Sequence, residues 1–418
     1  MKIDRDLYLQ QLIDGQQNKL IKVVAGIRRC GKSYLLFNIF KDYLLHHERV
    51  DNDHIIEIVF DDIANIGMRK AEAAYYYIKG RIRDNGIHYV LLDEVQLVND
   101  FESLLNSLLH IDNIDVYVTG SNSRFLAKDL ITEFRGRSYN IYVYPLSFSE
   151  FVSAFDGTAQ EALDVYYETG GLPGLINFRT EQDRKQYLSD LWRSVYVKDI
   201  LERHKLRNET EFSELLQIIS STIGALCNPL KLSNTFKSRK NVNISSATIS
   251  KYISYMEDAF LINKAPRWDV KGKKYINSLS KYYFSDLGVR NAIVNFGQSE
   301  RTHLMENLIY NELLVRRLQV NVGLIEMRTT DDQNKTIRTK LEVDYVASMN
   351  SKRYFIQSAY SIPDNEKMQQ ELRPLLSIKE SYKKILITGD GGKAWYDENG
   401  IMHIGLIPFL TDINSLDY

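Results

Sequence analysis

One eight-residue loop constrains this chain more than any other feature: Gly26-Ile27-Arg28-Arg29-Cys30-Gly31-Lys32-Ser33 fits the spacing G-x-x-x-x-G-K-[ST]. It follows a short apolar run at 20–25. It opens a segment, 33–47, with apolar residues at Leu35, Leu36, Ile39, Phe40, Tyr43 and Leu44, which is a helical stripe. A strand, a glycine loop and a helix in that order make a phosphate cradle. The glycines let backbone N–H groups wrap the phosphates, and the helix N-terminus adds a favourable dipole. The sequence therefore predicts nucleotide contacts along Gly26, Ile27, Arg28, Arg29, Cys30, Gly31, Lys32, Ser33 and Tyr34. Lys32 is expected to reach the β- and γ-phosphates, and Ser33 to ligate Mg2+.

The run His88-Tyr89-Val90-Leu91-Leu92-Asp93-Glu94 reads as a buried strand ending in two acids. Such a strand sets Asp93 beside the loop, where it can share Mg2+ with Ser33. Glu94 is then the candidate general base for an attacking water. A further strand at 114–119 leads into Thr119-Gly120-Ser121-Asn122-Ser123, where Asn122 or Ser121 is expected to sense the γ-phosphate. Downstream, Arg135 and Arg137 are candidates for an arginine finger offered to a neighbouring subunit. No N-K-x-D signal for guanine occurs, so the expected cofactors are ATP and Mg2+.

At 418 residues the chain is too long for one ordinary core. Strand and helix patterns alternate up to about 155, which predicts an α/β unit with a parallel sheet covered on both faces. Residues 156–225 read as helices, broken by Gly170-Gly171-Leu172-Pro173-Gly174. A helix is predicted at 245–261, then a basic turn, Lys271-Gly272-Lys273-Lys274, between two strand-like pieces. A long helix is predicted at 302–319, followed by strands at 322–327, 341–348, 354–357, 385–388 and 403–407. The two cysteines, Cys30 and Cys227, make no disulfide framework and no zinc spacing. No signal-peptide core and no membrane span is legible, so the expectation is a cytoplasmic protein with no membrane partner.

These motifs resemble those of an AAA+-type family of prokaryotic ATPases, the AAA_14 ATPases with a C-terminal DUF4143 region. The likeness is carried by Gly26–Ser33, Leu92-Asp93-Glu94-Val95-Gln96, Thr119–Ser123, Gly136-Arg137, Pro145-Leu146-Ser147-Phe148-Ser149-Glu150-Phe151, Gly170–Pro173 and Lys198-Asp199-Ile200. It favours Arg137 over Arg135 as the finger, and a finger working in trans implies a homo-oligomer. It implies an AAA+-like P-loop core at 1–155, a helical lid at 156–225, a winged-helix-like module at 226–300 and a restriction-endonuclease-like α/β domain at 301–418.

Nucleases of the PD-(D/E)xK type need two metal-binding acids and an acid-x-Lys pair. Glu306 and Asp344 (in Glu342-Val343-Asp344) suit the first requirement, but Gln357-Ser358-Ala359 stands where acid-x-Lys belongs. The reading is a scaffold without cleavage, unless a lysine such as Lys340 or Lys352 substitutes. Residues 228–284 hold eleven lysines and arginines against three acids, although the whole chain has a net charge of only −1. Ser245–Tyr252 as a recognition helix and Lys271–Lys274 as a wing tip make DNA the expected partner. The function expected is ATP hydrolysis driving a conformational change in a DNA-associated or regulatory protein. The alternatives are an ATP-switched protein-binding module and an ATP-gated endonuclease.

Overall fold

The computed structural model describes residues 3–120, 136–206, 208–240, 242–272, 274–298, 300–330 and 336–418. The chain divides into two compact units. One holds Met1–Pro145, Leu172–Gly174 and Asp258–Phe260, and the other holds the remainder.

The first unit is built on five parallel strands: β1 (Ile21–Ala25), β2 (Ile55–Val59), β3 (His88–Asp93), β4 (Ile114–Gly120) and β5 (Ser138–Tyr142). Their order is β2-β3-β4-β1-β5. The strands are apolar on both faces, as a sheet covered by helices on both sides requires. On one face Val23, Ile58, Val90 and Val118 pack with Ala74 and Ile78 of the helix Ala71–Arg81. Phe101, Leu104 and Leu108 of the helix Phe101–Leu108 join the same cluster. On the other face Tyr117 meets Phe40 with ring centroids 4.6 Å apart. Phe40 belongs to the helix that follows the glycine loop. That helix covers 32–46, with π geometry in its middle turns, Leu35–Phe40. The apolar run of β1 also buries Lys22, which pairs with Asp115 on β4; Tyr117 donates to the same carboxylate at 2.8 Å. Burial pulls the Lys22 ammonium down, and Asp115 opposes that pull.

The second unit begins with the motif Leu146-Ser147-Phe148-Ser149-Glu150-Phe151, which is a helix start. Ser147 Oγ accepts from the Glu150 N–H at 3.2 Å, and Glu150 Oε2 accepts from the Ser147 N–H at 2.8 Å. This reciprocal pairing satisfies two N–H groups that the first helical turn leaves open. The Gly170-Gly171 pair has a comparable local cause. Gly170 lies at φ +71°, and a Cβ there would stand 2.4 Å from Asp286 Oδ1. Asp286 accepts from Gly171 N–H at 2.8 Å and caps the helix Leu287–Ile293 through Val289 N–H at 2.9 Å.

Eight strands form the sheet of this unit: β6 (Ile262–Asp269), β7 (Lys274–Phe284), β8 (Gln319–Thr330), β9 (Thr336–Met349), β10 (Lys352–Ala359), β11 (Lys383–Thr388), β12 (Trp395–Tyr396) and β13 (Met402–Gly405). The order is β12-β13-β11-β10-β9-β8-β6-β7. The β6–β7 hairpin on either side of the basic turn is part of this sheet, since β6 pairs in parallel with β8 through Arg267 and Val322. The helix expected at 302–319 is shorter, Arg301–Val315. Arg317 turns to φ +65°, and Gln319 already starts β8.

Candidate functional site

The loop after β1 takes its shape from two glycines. Gly26 has φ +153°, and a Cβ on it would lie 2.0 Å from the carbonyl oxygen of Val143. The chain beyond β5 can pass that close only to a residue without a side chain. Gly31, at φ +96°, caps the helix that begins at Lys32. Arg5, buried at 4% exposure, braces the loop from outside. Its guanidinium donates to Cys30 O at 3.1 Å and to Tyr144 O at 2.7 Å. The sequence offers no local signal for this role, because Arg5 lies twenty-five residues from Cys30 and is brought there by the fold.

A cavity of about 460 Å3 opens beside the loop. Arg28, Arg29, Gly31, Lys32, Ser33, Tyr34, Asp93 and Glu94 line it, together with Asp61, Gln96 and Leu97. The remaining loop residues are buried and do not line it: Ile27 and Cys30 are in the core, and Gly26 is buried as well. Lys32 Nζ donates to the carbonyls of Gly26 and Ile27, each at 3.0 Å, so the ammonium is held against the loop it would leave to meet phosphate.

Asp93 ends β3, and Ser33 Oγ donates to its Oδ1 at 2.9 Å. Thr119, at the end of β4, donates its hydroxyl to the same oxygen and accepts from the Glu94 N–H at 3.2 Å. Burial pushes the Asp93 carboxyl up, and the neighbouring Glu94 and Asp61 push the same way against the Thr119 and Ser33 hydrogen bonds. A buried acid in this position, next to a serine hydroxyl, suits a hard cation with oxygen ligands, so Ser33 and Asp93 fit Mg2+. Glu94 stands at φ 51°, a left-handed backbone uncommon outside glycine and asparagine, and Gln96 donates its amide to Glu94 Oε2. Asp61, Gln96 and Thr119 were not read as site residues from the sequence. Gln96 does stand in the Asp93–Gln96 run, and Thr119 in the Thr119–Ser123 run.

Asn122, Ser121 and Arg135 lie outside the described residues. Arg137 precedes β5, where its carbonyl accepts from the Ile21 N–H at 2.9 Å. β1 and β5 are parallel, with Ile21 opposite Ser138 and Ala25 opposite Tyr142. Arg137 is therefore at the amino edge of the sheet and the loop at its carboxyl edge, roughly 16 Å apart along the strand. Its guanidinium donates to Asn106 at 3.2 Å.

In the second unit, Glu306 and Asp344 come together with a lysine that the sequence reading assigned to the basic face. Lys281, 5% exposed, pairs with Glu306 at 2.9 Å and with Glu342 at 2.8 Å. Burial works against its charge, but Glu306, Asp344 and Glu342 outweigh burial and raise its pKa. Tyr283 donates to Glu306 Oε1 at 2.7 Å. Asp344 Oδ2 accepts from the Ser358 N–H at 2.9 Å and from its hydroxyl at 2.8 Å. Gln357 donates to Glu371 at 3.3 Å. Lys281 thus pairs with Glu306 and Glu342, while hydrogen bonds from Tyr283 and Ser358 take Glu306 Oε1 and Asp344 Oδ2. Lys340 is elsewhere, beside Glu326, and Lys352 beside Asp417. Of the basic segment, Lys231, Lys237, Lys251, Lys264 and Lys271 are exposed. Lys273 is outside the described residues. The helix Ser246–Asp258 buries Ile249, Tyr252, Ile253 and Met256, leaving Lys251 outward. No described helix is long and apolar enough to cross a membrane.

Comparison with known proteins supplies the family. Residues 18–152 match the AAA domain family AAA_14. Residues 160–300 match DUF8612, a domain of unknown function, where the sequence motifs had suggested a DUF4143 region. An uncharacterized protein of Haemophilus influenzae is 32% identical over 411 residues, covering 97% of each chain. An uncharacterized protein of Methanocaldococcus jannaschii is 27% identical over 384 residues, 88% of this chain and 80% of that one. Among solved structures, the Walker-type ATPase PABY2304 of Pyrococcus abyssi aligns with a TM-score of 0.48 at 16% identity, over 70% of this chain and 96% of its own. The ORC1 protein of Aeropyrum pernix, in complex with DNA, aligns with a TM-score of 0.31 at 12% identity, over 71% and 93%.

Proposed function

The chain belongs to one family with its Haemophilus influenzae relative and carries an AAA ATPase domain, and from that premise we propose that it is a Mg2+-dependent ATPase whose nucleotide cycle drives a conformational change in a DNA-associated or regulatory assembly. The observation that carries this reading is the meeting of Ser33 Oγ and Asp93 Oδ1 at 2.9 Å in a cavity also lined by Lys32 and Glu94.

Lys32 exchanges its two loop carbonyls for the β- and γ-phosphate oxygens, to which its charge is better matched. Ser33 and Asp93 hold Mg2+, which when bound neutralises phosphate charge. Glu94 takes the proton of the attacking water. Arg137 cannot reach the loop of its own chain across the length of the sheet, so it serves a neighbour's nucleotide and the working form is a homo-oligomer. Asn122 remains the proposed γ-phosphate sensor.

DNA contact rests on the exposed lysines of the segment 228–284, with the helix Ser246–Asp258 as the element to enter a groove. In that reading residues 156–225 act as the lid, 226–300 as a winged-helix-like module and 301–418 as an endonuclease-like scaffold. The reading of a scaffold without cleavage rests on Gln357 and Ala359, which stand where an acid-x-Lys pair belongs.

The test is ATP turnover by the purified chain with and without duplex DNA. Turnover stimulated by DNA is expected at low salt and should fade as salt rises. Lys32→Ala should lose ATP affinity, and Glu94→Gln should bind ATP yet turn it over slowly. Unaltered ATP affinity in Lys32→Ala would sink the loop assignment. Turnover that ignores DNA at every salt concentration would leave the ATP-switched protein-binding module as the better reading.

A further inference from the structure

Among the described residues that line the cavity, Gln96 is the one whose side chain joins the base and also keeps a buried oxygen without a donor. Its amide nitrogen donates to Glu94 Oε2. Its Oε1 is buried and accepts from no described group. The orientation of the amide follows from chemistry, because an ionised carboxylate only accepts and so must face the NH2 end. The local fold holds the two side chains in place. Val95 between them is fully buried in the sheet core, and the short turn Val95–Leu97 closes through the Leu97 N–H on Glu94 O at 2.9 Å. Glu94 and Gln96 both line the cavity beside Lys32, Ser33 and Asp93. A buried amide oxygen without a donor is costly, because it has given up water and gained no partner. A residue carrying that cost on the wall of a reaction cavity points to a donor that arrives with the substrate.

We propose that Gln96 is the second acceptor for the attacking water. This inference rests on Glu94 being the base. The water donates one O–H to Glu94 Oε1 and the other to Gln96 Oε1, which turns a lone pair toward the γ-phosphorus. The water oxygen forms its bond to that phosphorus as the bond from phosphorus to the β–γ bridging oxygen breaks. The electron pair of the broken bond leaves with ADP, and the proton passes to Glu94. The same amide, through its nitrogen, holds the Glu94 carboxylate in place. One side chain thus fixes both the base and the direction of attack, which is the positioning that makes an in-line displacement fast.

The experiment compares wild type, Gln96→Ala, Gln96→Met and Glu94→Gln on the full chain. It measures kcat and KM for ATP, and affinity for Mg-ADP as a folding check. Loss of an interaction made only in the transition state lowers kcat and leaves KM nearly alone. The expected result for Gln96→Ala and Gln96→Met is a kcat roughly tenfold lower or more, with KM within about twofold of wild type. Gln96→Met keeps the length of the side chain, so it decides the matter if Gln96→Ala fails to bind Mg-ADP. If Glu94→Gln is inactive while Gln96→Met keeps the wild-type kcat, the role of Gln96 is overturned and that of Glu94 stands. If Glu94→Gln turns over normally, the assignment of the base fails first and the Gln96 role fails with it.

Discussion

Thr119 and Asp93 share one carboxylate oxygen with Ser33: the Thr119 hydroxyl donates to Asp93 Oδ1, and Ser33 donates to the same atom at 2.9 Å. The threonine also accepts from the Glu94 N–H at 3.2 Å, so the end of β4 fixes Asp93 at the end of β3 and the Glu94 that follows it. Thr119→Val keeps the shape and removes both hydrogen bonds. An outer partner of a metal-binding acid is worth roughly 10- to 100-fold in affinity or activity, so turnover should fall by about tenfold and the need for Mg2+ should rise. Thr119→Ser should recover most of the loss. A Mg2+ titration of turnover in the three proteins checks this, and an unchanged curve for Thr119→Val would remove Thr119 from the site.

The position of Arg137 at the amino edge of the sheet predicts complementation between subunits. Arg137→Ala and Glu94→Gln should each be nearly inactive alone, since a finger contributes roughly 10³-fold or more. Mixing the two should restore turnover, because some interfaces then join an intact Glu94 to an intact Arg137. Wild-type turnover in Arg137→Ala by itself would show that no finger acts from this residue.

Lys281 stands between Glu306 and Glu342 at 2.9 and 2.8 Å. Removing one partner from a buried ion pair costs roughly 3–5 kcal/mol, since the other charges are left without compensation. Lys281→Met should lower unfolding stability by that order in urea, and adding Glu306→Gln should recover part of it. Lys281→Met with wild-type stability would mean that the pair carries no structural role.

Asp344 predicts a pH effect on the same group of acids. Its pKa is pushed up to about 7, first by burial and then by the Glu306 charge, against Lys281 and the Ser358 hydrogen bonds. A carboxyl whose pKa is higher folded than unfolded binds its proton more tightly in the fold. Its contribution to stability is then fully present below the unfolded value, about 4, and is lost as pH rises through 7. Denaturant unfolding of the wild type should show stability falling from pH 5 to pH 8, and Asp344→Asn should flatten that slope. An equal slope in both proteins would place the titration elsewhere.

Local residue order already determined the nucleotide loop, the strand that ends in Asp93 and Glu94, and the helix after Gly31. Each depends on spacing within a few residues: glycines where the backbone must turn or be approached, a continuous apolar run in a strand buried on both faces, and period 3.6 in a helix. Tertiary structure decided what those spacings cannot encode. Arg5 reaches Cys30, Thr119 reaches Asp93, and Lys281 leaves the basic segment for Glu306, because sheet order and strand direction bring together residues far apart in the chain. The same cause decided the fate of Gln357 and Ala359. Their departure from an acid-x-Lys pattern was legible in the sequence, but the lysine among the acids came from β7, which only the pairing of β6 with β8 joins to that sheet.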